Sequence, residues 1–233
     1  MNGWVADVTR AAADANHKDL IRWANRAAAL GRWTLAADLL ERIAEPSAEM
    51  SYRAAAARLK TGDTAGYARI CERAEAAVLK DVPVEQLNDA AWQLSLAPGG
   101  ARAPDRLAER FAAAFKAAKG PMEKHMYANT LGAVLIRAGR YAEGVQWLER
   151  GVAADGDKRL PEDAAFLAIA HRRLGDGAGA DVQLAKARKA FGLLSEQPEK
   201  WADCVVLELL IAEAAPEQVP YPRLKSPVPP AGE

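Results

Sequence analysis

Glycines recur at the ends of short helical segments in this chain, and their spacing most constrains its fold. Gly31, Gly62, Gly139 and Gly175 each follow an apolar pattern that repeats every three and four residues, which is typical of an amphipathic helix. They are separated by 31, 77 and 36 residues, and the longest interval has room for one further unit. A glycine just after a helix accepts the left-handed backbone conformation that other residues avoid. The spacing therefore predicts a tandem array of helical hairpins.

The apolar stripes predict five hairpins and one closing helix, and strand patterns are nearly absent. In the first hairpin, a turn at Gly31 separates a stripe that begins at Leu20 from one that begins at Trp33. The other hairpins are expected at residues 50–80, 84–118, 124–154 and 161–191, and the closing helix at 199–214. The fold class predicted from this pattern is all-α.

Gly132 and Gly144 differ from the turn glycines because they lie inside the helices of hairpin 124–154. A glycine in a helix interior costs roughly 0.5–1 kcal/mol relative to alanine, so its presence requires another physical reason. We interpret both as positions where two helix backbones approach closely, with Leu131, Leu135 and Leu148 filling the grooves around the crossing.

The residues of this hairpin resemble the tetratricopeptide (TPR) family. That family alternates large and small positions around a turn glycine, and the matching residues here are Leu131, Gly132, Leu135, Gly139, Tyr141, Gly144 and Leu148. The resemblance implies a right-handed α-solenoid of about five TPR-like hairpins plus the closing helix. It also implies a non-catalytic role in protein interaction, with the first helix of each hairpin lining a concave face.

A second likeness extends over about residues 31–190. The segments TGDTAGYARICERA, NDAAWQLSLAPG, YANTLGAVLIRAGRYAEGVQWLERGV and DAAFLAIAHRRLG look like the TPR-type regions that follow serine/threonine kinase or WD40 domains in some bacterial signalling proteins. This likeness implies a regulatory or scaffolding appendage. The chain itself contains no kinase signature and no propeller blades.

Two hairpins depart from the family pattern. In hairpin 50–80, Tyr67 lies near a position that is normally small, and hairpin 84–118 contains the long connection APGGARAP. Trp147 stands beside the inward-facing Leu148, and we expect its indole to pack on the following hairpin.

Residues of the first helices that helix packing does not require are expected on the concave face, where they would contact a partner. Most of them are basic or amide side chains, and arginine pairs with carboxylates in a two-pronged geometry, so an acidic segment or a free carboxylate is the predicted ligand. The alternative is that they are ordinary solvated helix residues. The predicted partner-binding residues are Lys18, Arg22, Asn25, Tyr52, Arg53, Lys60, Asn129, Arg137, Arg172 and Arg173.

No catalytic or metal site is predicted. His17, His125 and His171 are far apart in sequence and belong to no metal-binding or nucleophile motif. Cys71 and Cys204 lie in apolar helical patterns and are interpreted as small buried residues rather than reactive thiols. We expect no cofactor.

Charge balance argues against a nucleic-acid or membrane partner. Lys plus Arg and Asp plus Glu number 31 each, so no global basic field is present. The N-terminus lacks a signal-peptide pattern, and no run of 18 apolar residues occurs. These observations predict a soluble, cytoplasmic protein.

The domain organisation expected from the sequence is a helical repeat domain at 1–215 and a disordered, proline-rich tail at 216–233. The predicted function is a protein–protein interaction module that binds a peptide or protein segment on its concave face, in a signalling assembly. The alternative is a structural, scaffolding or dimerisation region of a larger multidomain protein without a groove ligand.

Overall fold

The computed structural model describes residues 2–80, 84–156 and 160–215, and it gives side chains for these except residues 2–3 and 84–86. The described residues form α-helices and two short 3₁₀ turns without strands, so the predicted all-α class is confirmed. The expected tail at 216–233 lies outside the described residues. The helices are α1 (Asn2–Ala11), α2 (His17–Ala29), α3 (Trp33–Glu41), α4 (Ala48–Lys60), α5 (Thr64–Val78), α6 (Val84–Trp92), α7 (Pro104–Ala117), α8 (Pro121–Arg137), α9 (Tyr141–Ala154), α10 (Pro161–Arg173), α11 (Gly177–Leu194) and α12 (Trp201–Ala214).

Consecutive helices pack closely in four hairpins, which are α2/α3, α4/α5, α8/α9 and α10/α11. In the expected hairpin at 84–118, α6 packs mainly on α5 and α7 packs on α8 rather than on α6; we call this irregular segment the third hairpin. The expected array of helical hairpins followed by a closing helix, α12, is present. One element was not predicted: α1 precedes the first hairpin, and its Trp4 ring lies 4.9 Å below the Arg26 guanidinium of α2.

The four turn glycines adopt the predicted backbone conformation. Gly31, Gly62, Gly139 and Gly175 have φ between +68° and +82°. In each turn the amide of the residue after the glycine donates to the carbonyl five residues earlier, at 2.8–2.9 Å. This bond satisfies carbonyls that the helix end would otherwise leave without a partner. The same glycine turn therefore ends the first helix of each of the four closely packed hairpins.

The close approach predicted at Gly132 and Gly144 is present where α8 crosses α9. A Cβ atom at Gly132 would lie 2.7 Å from Leu148 Cγ and 3.0 Å from the carbonyl oxygen of Gly144. At Gly144, a Cβ atom would lie 2.5 Å from Cγ1 of Ile136. Ordinary Cβ contacts are longer, so alanine does not fit at either position without moving a neighbour.

The irregular third hairpin explains the unusual tyrosine. Helix α6 ends at Trp92 and continues into a 3₁₀ turn at Gln93–Ser95. The Tyr67 hydroxyl donates to the Gln93 carbonyl at 2.9 Å and accepts from the Ala97 amide at 3.2 Å. Tyr67 thus fills the space left by the short α6, and its hydroxyl hydrogen-bonds two backbone groups beyond the end of that helix. This explains why a large side chain occupies a normally small site.

The indole of Trp147 packs on the preceding hairpin. Its ring meets Phe115 of α7 edge to face, with centroids 5.2 Å apart. The expectation of contact with the following hairpin was therefore wrong. The ring on α7 offers an aromatic partner in a favoured geometry, and the sequence register alone did not reveal it.

Candidate functional site

Helix α12 occupies the inner side of the solenoid. It packs against α10 and α11, which precede it in the chain, and also against α4 of the second hairpin. Its buried residues include Trp201, Val205, Val206, Leu207 and Leu210, which point to several sides of the helix. A helix that is apolar all round must be enclosed by its surroundings. We call the space that α12 fills, bordered by α2, α4, α8 and α10, the channel.

Two carboxylates of α12 bind side chains of α4. The Tyr52 hydroxyl donates to Oδ1 of Asp203 at 2.9 Å. The Lys60 ammonium donates to Oε2 of Glu208, five residues further along α12. Both α4 residues belong to the predicted partner-binding set. The carboxylates that meet these two residues therefore belong to the same chain.

A third carboxylate of α12 meets α8. A terminal nitrogen of Arg137 lies 2.7 and 2.8 Å from the two carboxylate oxygens of Glu213. The same guanidinium donates to the carbonyls of Ser95 and Leu96 at 2.6 and 3.0 Å. Arg137 thus ties together the third hairpin, the fourth hairpin and the C-terminal part of α12.

The first residue of α12 completes the contact with the N-terminal hairpins. The Trp201 indole N–H donates to Oδ1 of Asn25 at 3.1 Å, and Arg53 donates to the same oxygen at 2.9 Å. The Arg53 guanidinium also lies 6.0 Å from the Trp201 ring centroid. The Trp33 ring of α3 packs on Trp201 with centroids 5.8 Å apart. Helix α12 therefore links the last hairpin to the first two.

The structure brings together six of the ten predicted residues around α12. These are Asn25, Tyr52, Arg53, Lys60, Arg137 and Arg172, the last of which donates to the Ala214 carbonyl at 3.3 Å. Lys18, Arg22 and Arg173 are exposed and take no part in this group. The expected exposure was wrong at Arg137 and Asn129, whose exposed fractions are 4% for the Arg137 side chain and 3% for Asn129.

Asn129 belongs to a different cluster, which the sequence did not predict. His125 at the start of α8 places its Nε2 atom 2.9 Å from Oδ2 of Asp163, and its Nδ1 atom 3.6 Å from Oδ2 of Asp155. Asn129 donates to the other oxygen of Asp163, and the Leu160 amide donates to Oδ2 of Asp163 at 2.7 Å. The cluster joins the fourth and fifth hairpins.

The two carboxylates stabilise the charged imidazole. The hydrogen bond to Asp163 raises the pKa of His125 above its ordinary value, burial opposes this, and Asp155 adds to the increase. Only 1% of the His125 side chain is exposed, so no substrate reaches the ring. The arrangement can hold a proton and lock two hairpins, but its burial prevents acid–base chemistry on an external molecule.

The cysteines lack the setting of a nucleophile. Burial raises the pKa of Cys71 to about 12, so the reactive thiolate is scarce at neutral pH. Burial and the nearby Asp203 and Glu208 carboxylates raise the pKa of Cys204 as well. Among the described residues, no three potential metal ligands cluster at a common point.

A pocket remains at the end of the channel where α12 begins. Its volume is about 390 Å³, and its wall includes Tyr52, Asn88, Asp89, Trp92 and Asp203. Close to Asp203, burial raises the pKa of Glu162 to about 7, and the neighbouring Asp203 and Asp163 carboxylates add to this increase. Carboxyl groups therefore cluster at this end of α12, where Arg53 and Lys200 also line the pocket. The Lys200 ammonium lies 3.7 Å from Oδ2 of Asp203.

The chain has a distant likeness to solved structures of low sequence identity. No described helix has the length and apolar character needed to span a bilayer. No family model and no curated protein matches the chain. A solved structure of MamA AMB-1 has 18% identity and a TM-score of 0.37, covering 76% of this chain and 91% of its own. A MamA mutant structure has the same identity and TM-score, covering 73% of this chain and 95% of its own. At these values the likeness carries no argument about function.

Proposed function

We propose that the chain is a non-catalytic protein-interaction module whose channel binds an acidic helical segment. One observation carries the proposal: the carboxylates of α12 meet residues that the sequence predicts for partner binding. Tyr52, Lys60 and Arg137 provide a hydroxyl and two cations along the channel. The contacts of α12 support a wall that accepts an acidic helix.

The chemistry of the channel favours a segment that is both apolar and acidic. Apolar side chains supply most of the binding free energy because they leave water on entry. Charge-assisted hydrogen bonds to Lys60 and Arg137 then fix the position of the segment along its axis. A basic segment would place cations against those two residues and would be rejected.

A structural scaffold is the second candidate function, and one observation favours it. Helix α12 already fills the channel and joins the last hairpin to the first two. On this account the filled array stabilises or dimerises a larger assembly and takes no further ligand. A signalling assembly, as in the bacterial proteins that the sequence resembles, is the context we propose for either role.

Peptide binding to the full-length chain tests the proposal. We use the variant Glu208→Lys, which breaks the Lys60 contact and lowers competition from α12, with a fluorescent peptide of residues 199–215 that carries Cys204→Ser. The account predicts saturable binding, measured by fluorescence anisotropy. A peptide with Asp203→Lys and Glu208→Lys should bind at least about tenfold more weakly, which corresponds to about 1.4 kcal/mol.

The peptide pair separates the two candidate functions. Binding of the acidic peptide in preference to its charge-reversed control supports an interaction channel. No binding of either peptide, or equal binding of both, would contradict the channel proposal and favour the structural scaffold.

A further inference from the structure

We propose that α12 gates the channel: its contacts with α2, α3 and α4 release reversibly while it stays on α10 and α11, and a partner helix occupies the vacated face. This inference rests on the proposed function. It adds that the resident helix is an autoinhibitory ligand, and it specifies the partner that competes with it.

The two sides of α12 make different kinds of contact. Contact with α10 and α11 is the ordinary stacking of neighbouring units in a repeat array. Contact with α2, α3 and α4 instead closes the array on itself, because it joins residues 148 to 176 positions apart in sequence. An open solenoid has no such contact, so the closure is a separate interaction that can be lost while the stack persists.

The closing contact includes hydrogen bonds between polar side chains and the Trp33–Trp201 ring contact, and we call it the seam. Water replaces hydrogen bonds of this kind when they open, so their net contribution is modest. At the Lys60–Glu208 pair the two side chains are 19% and 36% exposed, so water already reaches this part of the seam. The seam consists of Asn25, Trp33, Tyr52, Arg53 and Lys60 on one side and Trp201, Asp203 and Glu208 on the other.

The seam defines the chemistry of the competing partner. A tryptophan must pack on Trp33 and donate to Asn25, as Trp201 does. A carboxylate two residues later must accept from Tyr52, and a second carboxylate five residues after that must meet Lys60. The partner is therefore a helix with an aromatic residue and two acids at the spacing found in α12.

Because α12 belongs to the same chain as the channel, it competes more effectively for the channel than a free helix does. A tethered segment experiences an effective concentration on the order of millimolar, so a free helix of equal intrinsic affinity binds weakly to the closed form. A change that weakens the seam alone must then increase binding of an external helix. If the affinity for an external helix did not change when the seam is weakened, α12 would not be a gate.

Three full-length proteins test the gate with the same 199–215 peptide carrying Cys204→Ser. Wild type should bind at least about tenfold more weakly than Glu208→Lys, because its α12 competes. The double variant Lys60→Glu with Glu208→Lys restores an ion pair of reversed sign across the seam. It should lose the gain in binding, both because the channel closes and because position 60 now repels the acidic peptide.

Each result has a defined meaning. Tight and equal binding by wild type and Glu208→Lys would overturn the gate and leave the interaction channel standing. Binding by neither would remove the gate together with the proposed function. The milder variant Glu208→Gln, checked for helicity by circular dichroism, removes the charge without repulsion and should give binding between those of wild type and Glu208→Lys. If Glu208→Lys does not fold, equal binding by wild type and Glu208→Gln would overturn the gate.

Discussion

His125 joins two hairpins through carboxylates from different helix ends. Asp155 follows the end of α9, and Asp163 lies in the first turn of α10. Asp163 also accepts the Leu160 amide, so one carboxylate both caps a helix and binds the imidazole. Removing the imidazole would leave a fully buried carboxylate without its cationic neighbour, and such losses typically cost about 3–5 kcal/mol.

The stability of the protein should decrease as pH rises through the titration of His125. Its folded-state pKa lies above the ordinary value of 6.5, so the stabilisation is complete below pH 6.5 and is lost as pH rises through the folded pKa. Urea unfolding at several pH values should show this loss in wild type. His125→Gln should be less stable by about 3–5 kcal/mol at low pH and should show a smaller pH dependence.

The exposed His17 provides the matched control for this measurement. His17→Gln should leave both the stability and its pH dependence nearly unchanged, since substitutions at such positions usually stay within about 0.5 kcal/mol. An unaltered pH profile in His125→Gln would contradict the account of the cluster.

Sequence reasoning at the residue scale succeeds where a position depends on helix register and fails where it depends on contact between distant helix ends. Register alone placed Tyr52, Lys60 and Arg137 on the inner side of the first helices. The same reasoning treated His125 as isolated, because its two aspartates lie 30 and 38 positions away. The sequence shows Asp163 just after Pro161, a pattern that predicts the start of a helix. It gives no indication that Asp163 binds an imidazole.

At the scale of elements, the crossing of α8 and α9 depends on two glycines that face each other. The Gly132 and Gly144 backbones approach so closely that a Cβ atom on either would lie within 3.0 Å of the other's carbonyl oxygen. This proximity explains why the sequence accepts two residues that weaken helices. Glycine lowers the stability of each helix, and close contact between the two helices offsets this loss.

Alanine should have opposite effects at two helical glycines. Gly144→Ala should lower the free energy of unfolding by about 1–3 kcal/mol, because the added methyl group collides with Ile136. Gly192→Ala in α11 is the control, since its Cβ atom would have no neighbour within 4 Å. That variant should be stabilised by up to about 1 kcal/mol. Thermal unfolding measures both, and stabilisation of both variants would refute the close crossing.

Four of the hairpins were predictable because each depends on local chemistry. A left-handed glycine and an apolar stripe lie within one short segment, so sequence alone places Gly139 and its neighbours. The third hairpin was harder, since α6 is short and the Tyr67 side chain, from another hairpin, completes its end. Trp147 was assigned to the wrong neighbour for a similar reason, because either adjacent hairpin was compatible with its register.

At the scale of the whole molecule, the free energies of the contacts around α12 decide how the channel can open. Burying a valine or leucine side chain contributes about 1.5–3 kcal/mol, so Val205, Val206, Leu207 and Leu210 together contribute on the order of 10 kcal/mol. Each polar contact of the seam contributes only about 0.5–1.5 kcal/mol net. Full release of α12 exposes these side chains on every side of the helix, so it costs more than separation of the seam alone, which is why the proposed opening leaves α12 on α10 and α11.

The sequence indicated that α12 closes the array but did not show where it lies. Its apolar residues surround the helix, which predicts enclosure without naming the walls. Its position depends on how the curvature of five hairpins brings α4 within reach of the C-terminal segment. That curvature sums many small rotations between units, and no short segment of the chain encodes it.

Labelling of the two native cysteines tests the local opening of α12 most directly. Cys204 lies one helical turn before Glu208 and is partly buried, whereas Cys71 is buried in the core between α5 and the third hairpin. In the full-length chain, Glu208→Lys should accelerate modification of Cys204 by a thiol reagent at least about tenfold and leave the rate at Cys71 unchanged. Adding Lys60→Glu should restore the slow rate. Equal acceleration at both cysteines, or none at Cys204, would show that α12 separates only when the whole array unfolds and would contradict the account.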